Sequence, residues 1–300
     1  MITPNFLKPG DTVAIISTAR KVSKEELEPG VQLLEKWGLQ PLLGKTIGAE
    51  QNQFAGNDSL RTADFQAMLD NPTVKAIWCA RGGYGTVRMV DGLDFSEFKK
   101  HPKWIIGYSD ITVLHSHIHN IGIETMHADM PADIGKRTVE AATSIKKILF
   151  GESYKISFPS EEKKLTRTGS ASGQLVGGNL SVLYSILGSA SSVNTDGKIL
   201  FIEDLDEYLY HIDRMMQNLK RTGLLKNLAG LVVGGMSDMN DNTIPFGKTA
   251  VAIIAEAVSE YEYPVCFDAP AGHIKDNRAL IMGRNVKLHV TENNVTLDFN

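Results

Sequence analysis

Cysteine is scarce: the 300 residues hold only Cys79 and Cys266, each inside an apolar, strand-like run. Thiols in that setting read as buried and inert, which speaks against a disulfide framework or a cysteine nucleophile. A basic surplus is also missing. Thirty-one Lys and Arg against 35 Asp and Glu give a formal net charge of −4, whereas a nucleic-acid partner usually calls for a positive balance. The densest basic pair, Lys163-Lys164, stands beside Glu161-Glu162 and reads as a solvated loop. No apolar run approaches the roughly 18 residues of a membrane span. The opening segment, Met1 to Gly10, has no basic start leading into an apolar stretch, so a secretory signal is not expected. Internal repeats and low-complexity tracts are lacking too. These absences together point to a cytoplasmic protein with neither a nucleic-acid nor a membrane partner.

What is present is an ordinary globular composition, 42% hydrophobic and 22% charged, on a chain long enough for one large domain or two moderate ones. Strands and helices alternate through the first half. Thr12 to Ser17, Gln40 to Leu43, Val74 to Cys79 and Trp104 to Gly107 read as strands. Ser23 to Trp37, ending at Gly38, reads as a helix, and so does Asp58 to Leu69 with Asp58 or Ser59 as its cap. Such alternation predicts an α/β fold with a parallel sheet covered by helices. Residues 151–172 are polar and look like a connecting segment. Beyond them come strands at Ile199 to Ile202, Leu231 to Val233 and Val265 to Phe267, and a terminal hairpin from Val286 to Phe299. The economical division is 1–135 for a first domain, 136–170 for a linker and 171–300 for a second domain.

Ser109 lies where the strand ending at Gly107 gives way to a helical stretch. A serine at such a junction can be held in a strained turn with its hydroxyl above the sheet, next to the free N–H groups of a helix start. The G-x-S-x-G pattern is incomplete, because Ile111 stands at the second glycine position. Two readings stand at this point: a nucleophile, or a plain helix cap. The run Arg81-Gly82-Gly83-Tyr84-Gly85 directly follows a strand. It lacks both G-K-S/T and the G-x-G-x-x-G spacing. It is either a donor loop facing Ser109 or a tight turn without chemistry. Thr18-Ala19-Arg20 follows the first strand in place of a dinucleotide fingerprint.

Eight histidines limit the search for a base. His115, His117 and His119 share one helix, with no H-E-x-x-H pattern or cysteine cluster beside them, so no metal is called for. His273 follows a strand in a loop shaped by Pro270 and Gly272. For the acid, Glu203, Asp204 and Asp206 cluster at a strand end, and spacing does not choose among them. Triads occur in several chain orders on unrelated folds, so Ser109, Glu203, His273 is a permissible order.

These segments, in this order, resemble the LD-carboxypeptidase family of serine peptidases, which spans muramoyltetrapeptide carboxypeptidases and microcin C immunity peptidases. The resemblance rests on Phe54-Ala55-Gly56-Asn57-Asp58 with Arg61, Ala80 to Gly85, Gly107 to Asp110, and Gly177 to Leu180. It continues through Leu200 to Asp204, His211 to Arg214 and Ala271 to His273. It implies a Rossmann-like N-terminal domain with a parallel sheet, a β-rich C-terminal domain, a site between them and a homodimer. It further implies Ser109 as nucleophile, His273 as base, Glu203 as orienting acid, and an oxyanion hole from amides near Gly83 and Asp110, with no cofactor.

The expected substrate is a small peptide, a muropeptide tetrapeptide losing its terminal D-alanine. Arg81 is the candidate for its free carboxylate, guanidinium being suited to bidentate pairing; bracing of its own loop is the competing role. Hydrolysis of a microcin C-type peptidyl or aminoacyl nucleotide is the alternative activity, and a non-catalytic anion-binding module the alternative class. Many relatives carry His-Gly-Pro where this chain reads Met126-His127-Ala128-Asp129-Met130-Pro131, a departure expected to touch the pocket floor.

Overall fold

The structure, a computed structural model, describes residues 1–160 and 162–300; Glu161, in the charged loop read above, lies outside the described residues. The first half runs β1 (Thr12–Ile16), α1 (Lys24–Lys36), β2 (Gln40–Leu43), α2 (Asp58–Asp70), β3 (Val74–Cys79) and α3 (Ser96–Lys100). It continues with β4 (Trp104–Gly107), α4 (Thr112–Asn120), β5 (Thr125–His127) and α5 (Val139–Leu149). The second half holds β6 (Lys155–Phe158), β7 (Gly169–Asn179), α6 (Leu180–Ser185), β8 (Ile199–Leu205), α7 (Leu209–Arg221) and β9 (Gly230–Ser237). It closes with α8 (Ala250–Ala257), β10 (Val265–Cys266), β11 (Leu280–Met282), β12 (Asn285–Val290) and β13 (Val295–Asp298).

Among the described residues the first sheet has the order β11-β5-β4-β3-β1-β2. Its strands β1 to β5 are parallel, and β11 joins antiparallel to β5, pairing Leu280 with His127. Both faces of this sheet are covered, and β1 shows it: Val13 and Ile15 enter one core with Leu27 and Leu34 of α1, while Ala14 and Ile16 enter another with Phe65 and Leu69 of α2. That is why its strands read as unbroken apolar runs rather than as alternation. The order 2-1-3-4-5 reverses between β1 and β3, and in open α/β sheets ligands bind beyond the strand C-termini at such a reversal.

The second sheet has the order β10-β9-β8-β7-β12-β13-β6, parallel from β7 to β10 and antiparallel from β7 through β12 and β13 to β6. Leu200, Ile202, Leu231 and Val233 pack on one side against Ile212, Met215 and Met216 of α7 and Ile253 and Ile254 of α8. Phe201 and Val232 point the other way, into a core shared with Val13, Trp78 and Trp104 of the first sheet. The terminal hairpin read from the sequence is β12 and β13.

Two sequence readings change. Residues 136–170 carry α5 and β6 rather than a bare linker: Ile145, Ile148 and Leu149 fill the core of the first sheet, and β6 forms the outer edge of the second. Only the inward half of β6 is buried, so its polar alternate residues gave it the look of a loop. The cap of α2 is Asn57, whose side chain accepts from the Leu60 N–H at 2.8 Å, one residue before the pair expected. Cys79 and Cys266 are buried free thiols, and burial raises the pKa of both.

Candidate active site

β4 ends at Gly107, and Ser109 begins the turn into α4 with φ at +63°. A non-glycine residue in that left-handed region costs about 1–2 kcal/mol. The strain is held by the surroundings: the Ala128 N–H donates to Gly107 O at 3.1 Å, and His115 Nε2 lies 2.8 Å from the same oxygen. His115 Nδ1 meets Thr125 Oγ1 at 2.7 Å, and burial lowers its pKa to about 4. Neutral, it is a brace behind the turn. Asp110 directs its carboxylate inward to the Thr86 N–H at 2.8 Å; burial raises its pKa against the pull of that bond.

His273 reaches the serine from the other half of the chain, Nε2 lying 3.2 Å from Ser109 Oγ. Its Nδ1 lies 2.7 Å from Glu203 Oε2, and the same oxygen accepts the His273 backbone N–H at 3.1 Å. Two donors on one carboxylate oxygen fix the ring's plane and place its proton on Nδ1, leaving Nε2 free to accept from the Ser109 hydroxyl. The Glu203 side chain is 0% exposed and that of His273 13%. Burial works to lower the His273 pKa, but the charge and hydrogen bond of Glu203 prevail and the net shift is upward.

The structure also separates the three acids that spacing left open. Side chains alternate along β8, with Phe201 on the face towards the first sheet and Ile202 on the opposite face, so the adjacent carboxylates of Glu203 and Asp204 serve different partners. Asp204 accepts from Asn179 Nδ2 at 2.9 Å and from the Ser181 N–H at 2.8 Å, and burial followed by the Glu203 charge raises its pKa to about 7. Asp206 is exposed and accepts from Asn240 Nδ2 at 2.8 Å. Glu203 alone of the three meets His273.

A cleft of about 580 Å³ is lined by Arg20, Arg81, Gly82, Gly83, Ser109 and His273, together with carboxylates that include Asp206 and Glu207. The Gly82-Gly83 backbone passes directly beside the serine, since a side chain on Gly82 would stand 3.3 Å from Ser109 Cβ. Arg81 lines the cleft but pairs with Glu26 at 2.8 Å. Among the described residues, no group of three or more His, Cys, Asp or Glu could hold a metal ion, and no helix is long and apolar enough to cross a membrane.

The family model for the LD-carboxypeptidase N-terminal domain matches residues 13–128, and that for the C-terminal domain matches residues 172–288. The chain belongs to the LD-carboxypeptidase family. It is similar to a probable murein peptide carboxypeptidase of Bacillus subtilis, 39% identical over 98% of this chain and 94% of that one. A muramoyltetrapeptide carboxypeptidase from Oxalobacter formigenes, solved as a crystal structure, superposes with a TM-score of 0.88 at 26% identity, over 96% of this chain and 98% of its own. The microcin C7 self-immunity protein of Escherichia coli is 26% identical over 75% of each chain. By its family this is a serine carboxypeptidase.

In this carboxypeptidase the departing run after α4 forms the end of β5 and the buried loop that follows it. Met130 faces the cleft, and His127 is fully buried 5.0 Å from the Phe201 ring, where burial keeps it neutral. Asp129 accepts from Asn277 Nδ2 at 2.7 Å and lies 3.2 Å from Arg137 Nε. Asn277 Oδ1 in turn accepts the Gly272 N–H at 2.8 Å, beside His273. Asn277 and Arg137 were not found by sequence reasoning, and nothing local marks them; Asp129 lay in the departing run but was given no role there. Arg20 was missed although its place after β1, at the sheet's reversal, was a usable signal.

Proposed function

We propose that the enzyme removes the terminal D-alanine from muropeptide tetrapeptides by attack of Ser109 on the carbonyl of an L-centred diamino residue. The reading is carried by one observation, the hydrogen-bonded row Ser109–His273–Glu203 assembled from both halves of the chain. His273 takes the Ser109 proton as the serine–carbonyl bond forms, and Glu203 stabilises the resulting imidazolium. The backbone amides of Gly83 and Asp110 are the donors for the oxyanion. His273 then returns the proton to the departing alanine nitrogen, and water releases the acyl group by the reverse sequence. The acidic edge of Asp206 and Glu207 suits the free amino group of a diamino residue.

The substrate assignment is supported by the names of the Bacillus and Oxalobacter relatives. Similarity to the microcin immunity protein favours a second activity, hydrolysis of an aminoacyl or peptidyl nucleotide. The test is mass spectrometry of a muropeptide tetrapeptide and of a microcin C-type nucleotide after incubation with enzyme. Loss of one alanine from the first is expected. An intact tetrapeptide beside a cleaved nucleotide would reverse the assignment. The reading also carries a cytoplasmic setting and a homodimer, which cell fractionation and light scattering of the purified protein check.

A further inference from the structure

A carboxypeptidase acting on a chain end must recognise a free carboxylate, and two arginines border the cleft. Their circumstances differ. Arg81 is held by Glu26 in an exposed ion pair, so its charge is already partnered. Arg20 lines the same cleft and, among the described residues, has no carboxylate partner. Its side chain lies across Gly83: a Cβ there would meet Arg20 Cδ at 2.6 Å and Cγ and Nε at 2.7 Å. The absence of a side chain at Gly83, where φ is +110°, is what admits Arg20 to this position. The arginine is tied to the loop at its base as well, its N–H donating to Gly82 O at 3.4 Å.

We propose that Arg20, rather than Arg81, is the specificity-determining residue that pairs with the terminal carboxylate of the leaving amino acid. The chemistry fixes where that carboxylate must sit. It is attached to the carbon next to the scissile nitrogen, within about 4 Å of the attacked carbonyl carbon. A donor for it has to stand at the rim of the oxyanion loop, which is where the Arg20 stem crosses Gly83. The planar guanidinium offers two parallel N–H bonds to such a group. The same cleft is lined by the carboxylates of Asp206 and Glu207, which suit the acyl residue's amine. This assignment rests on the proposed tetrapeptide activity.

The test compares a muropeptide tetrapeptide having a free terminal carboxylate with the same peptide amidated there, using full-length enzyme. Wild type is expected to favour the free acid strongly. Arg20→Ala should lower kcat/KM for the acid about 10- to 100-fold and leave the amide nearly unchanged. Arg20→Lys should restore part of the preference, and Arg81→Ala should keep it. Thermal unfolding of each variant establishes that it is folded. A preference retained by Arg20→Ala, or lost in Arg81→Ala instead, overturns the assignment. An equal fall for acid and amide also overturns it, because that would place Arg20 on the oxyanion. Wild type releasing no alanine from either peptide would overturn the tetrapeptide activity itself, a result separable from all of these.

Discussion

The turn carrying Ser109 and the loop carrying His273 deliver one atom each to the same bond, and they are held in place by different means. Ser109 is positioned chiefly by its flanking strand and helix, with support from further off in the Ala128 N–H on Gly107 O and the Thr86 N–H on Asp110. The strand before it, the helix after it and His115, eight residues past Gly107, settle its backbone. The histidine loop is closed by bonds of its own, the Arg278 N–H to Pro270 O at 2.7 Å and the Gly272 N–H to Asn277 Oδ1 at 2.8 Å, and it is also clamped from afar. Asn277 Nδ2 donates to Asp129 across 148 positions of chain, and Arg137 Nη1 donates to Ile274 O at 2.8 Å across 137. Thr138 Oγ1 meets Asp276 Oδ1 at 2.9 Å, and Ser237 Oγ donates to His273 O at 2.8 Å. The Ser109 hydroxyl is placed mainly by its flanking strand and helix, and the His273 imidazole by contacts from distant parts of the chain. Loss of those long-range contacts should therefore displace the His273 ring before the Ser109 hydroxyl.

On the proposed mechanism the largest effect comes from removing either reacting atom. Ser109→Ala or His273→Ala should lower kcat by at least about 10⁴-fold, and the double variant should be scarcely worse, because residues acting as one unit are not additive. Single-turnover kinetics on the tetrapeptide measure this. Near-normal turnover by Ser109→Ala would remove the nucleophile from the scheme.

Glu203→Gln comes next, with an expected loss of about 10²- to 10⁴-fold in kcat and a change in pH dependence that a packing defect would not give. Only neutral His273 can take the serine proton. Activity must then fall as pH drops through the His273 pKa, which Glu203 holds above the ordinary 6.5. Without the carboxylate charge, burial is left to push that pKa down, so the acid limb of kcat/KM should move to lower pH. An unmoved limb would show that the charge is not what tunes the base.

Asn277→Ala sharpens the contrast between the two anchoring modes. It leaves the Gly272 N–H unpartnered in the interior and Asp129 Oδ1 with Arg137 alone, worth about 1–3 kcal/mol of stability. Because the lost bonds hold the base and not the substrate, kcat should drop about 10-fold with KM nearly constant. A rise in KM alone would argue against a positioning role.

The same contrast explains what could be read from the chain. β1, β3 and β4 are buried on both faces, so their apolar runs stood out, and the Ser109 turn announced itself by the switch from strand to helix. β7 did not. Its sequence Gly169-Ser-Ala-Ser-Gly-Gln-Leu-Val-Gly-Gly-Asn179 has little strand propensity, yet it pairs with β12 on one side and β8 on the other. Small residues are required there by close approach: a Cβ on Gly177 would fall 1.9 Å from Phe201 O. Tertiary packing set that strand against its own propensity. Strand alternation puts Glu203 on the Phe201 face and Asp204 on the Ile202 face, but which face meets His273 depends on how the two sheets pack, and the local sequence does not carry that. His273 had no local signature, and its place in the row came from family resemblance alone.

The smallest expected effect separates stability from positioning with two matched caps. Thr138 caps α5, accepting from the Ala141 N–H at 3.2 Å, and also donates to Asp276 beside the histidine loop. Thr249 caps α8 in the same way, accepting from the Ala252 N–H at 3.3 Å, and among the described residues its side chain has no second partner. Loss of either cap should cost about 1 kcal/mol, so Thr138→Ala and Thr249→Ala should show similar shifts in chemical denaturation. Only Thr138→Ala loosens a clamp on the base, and only it should lower kcat, by about 2- to 5-fold on the scale of one weakened hydrogen bond. Equal kcat in the two variants would mean that the loop's remaining anchors, Asn277 and Arg137, suffice to hold His273.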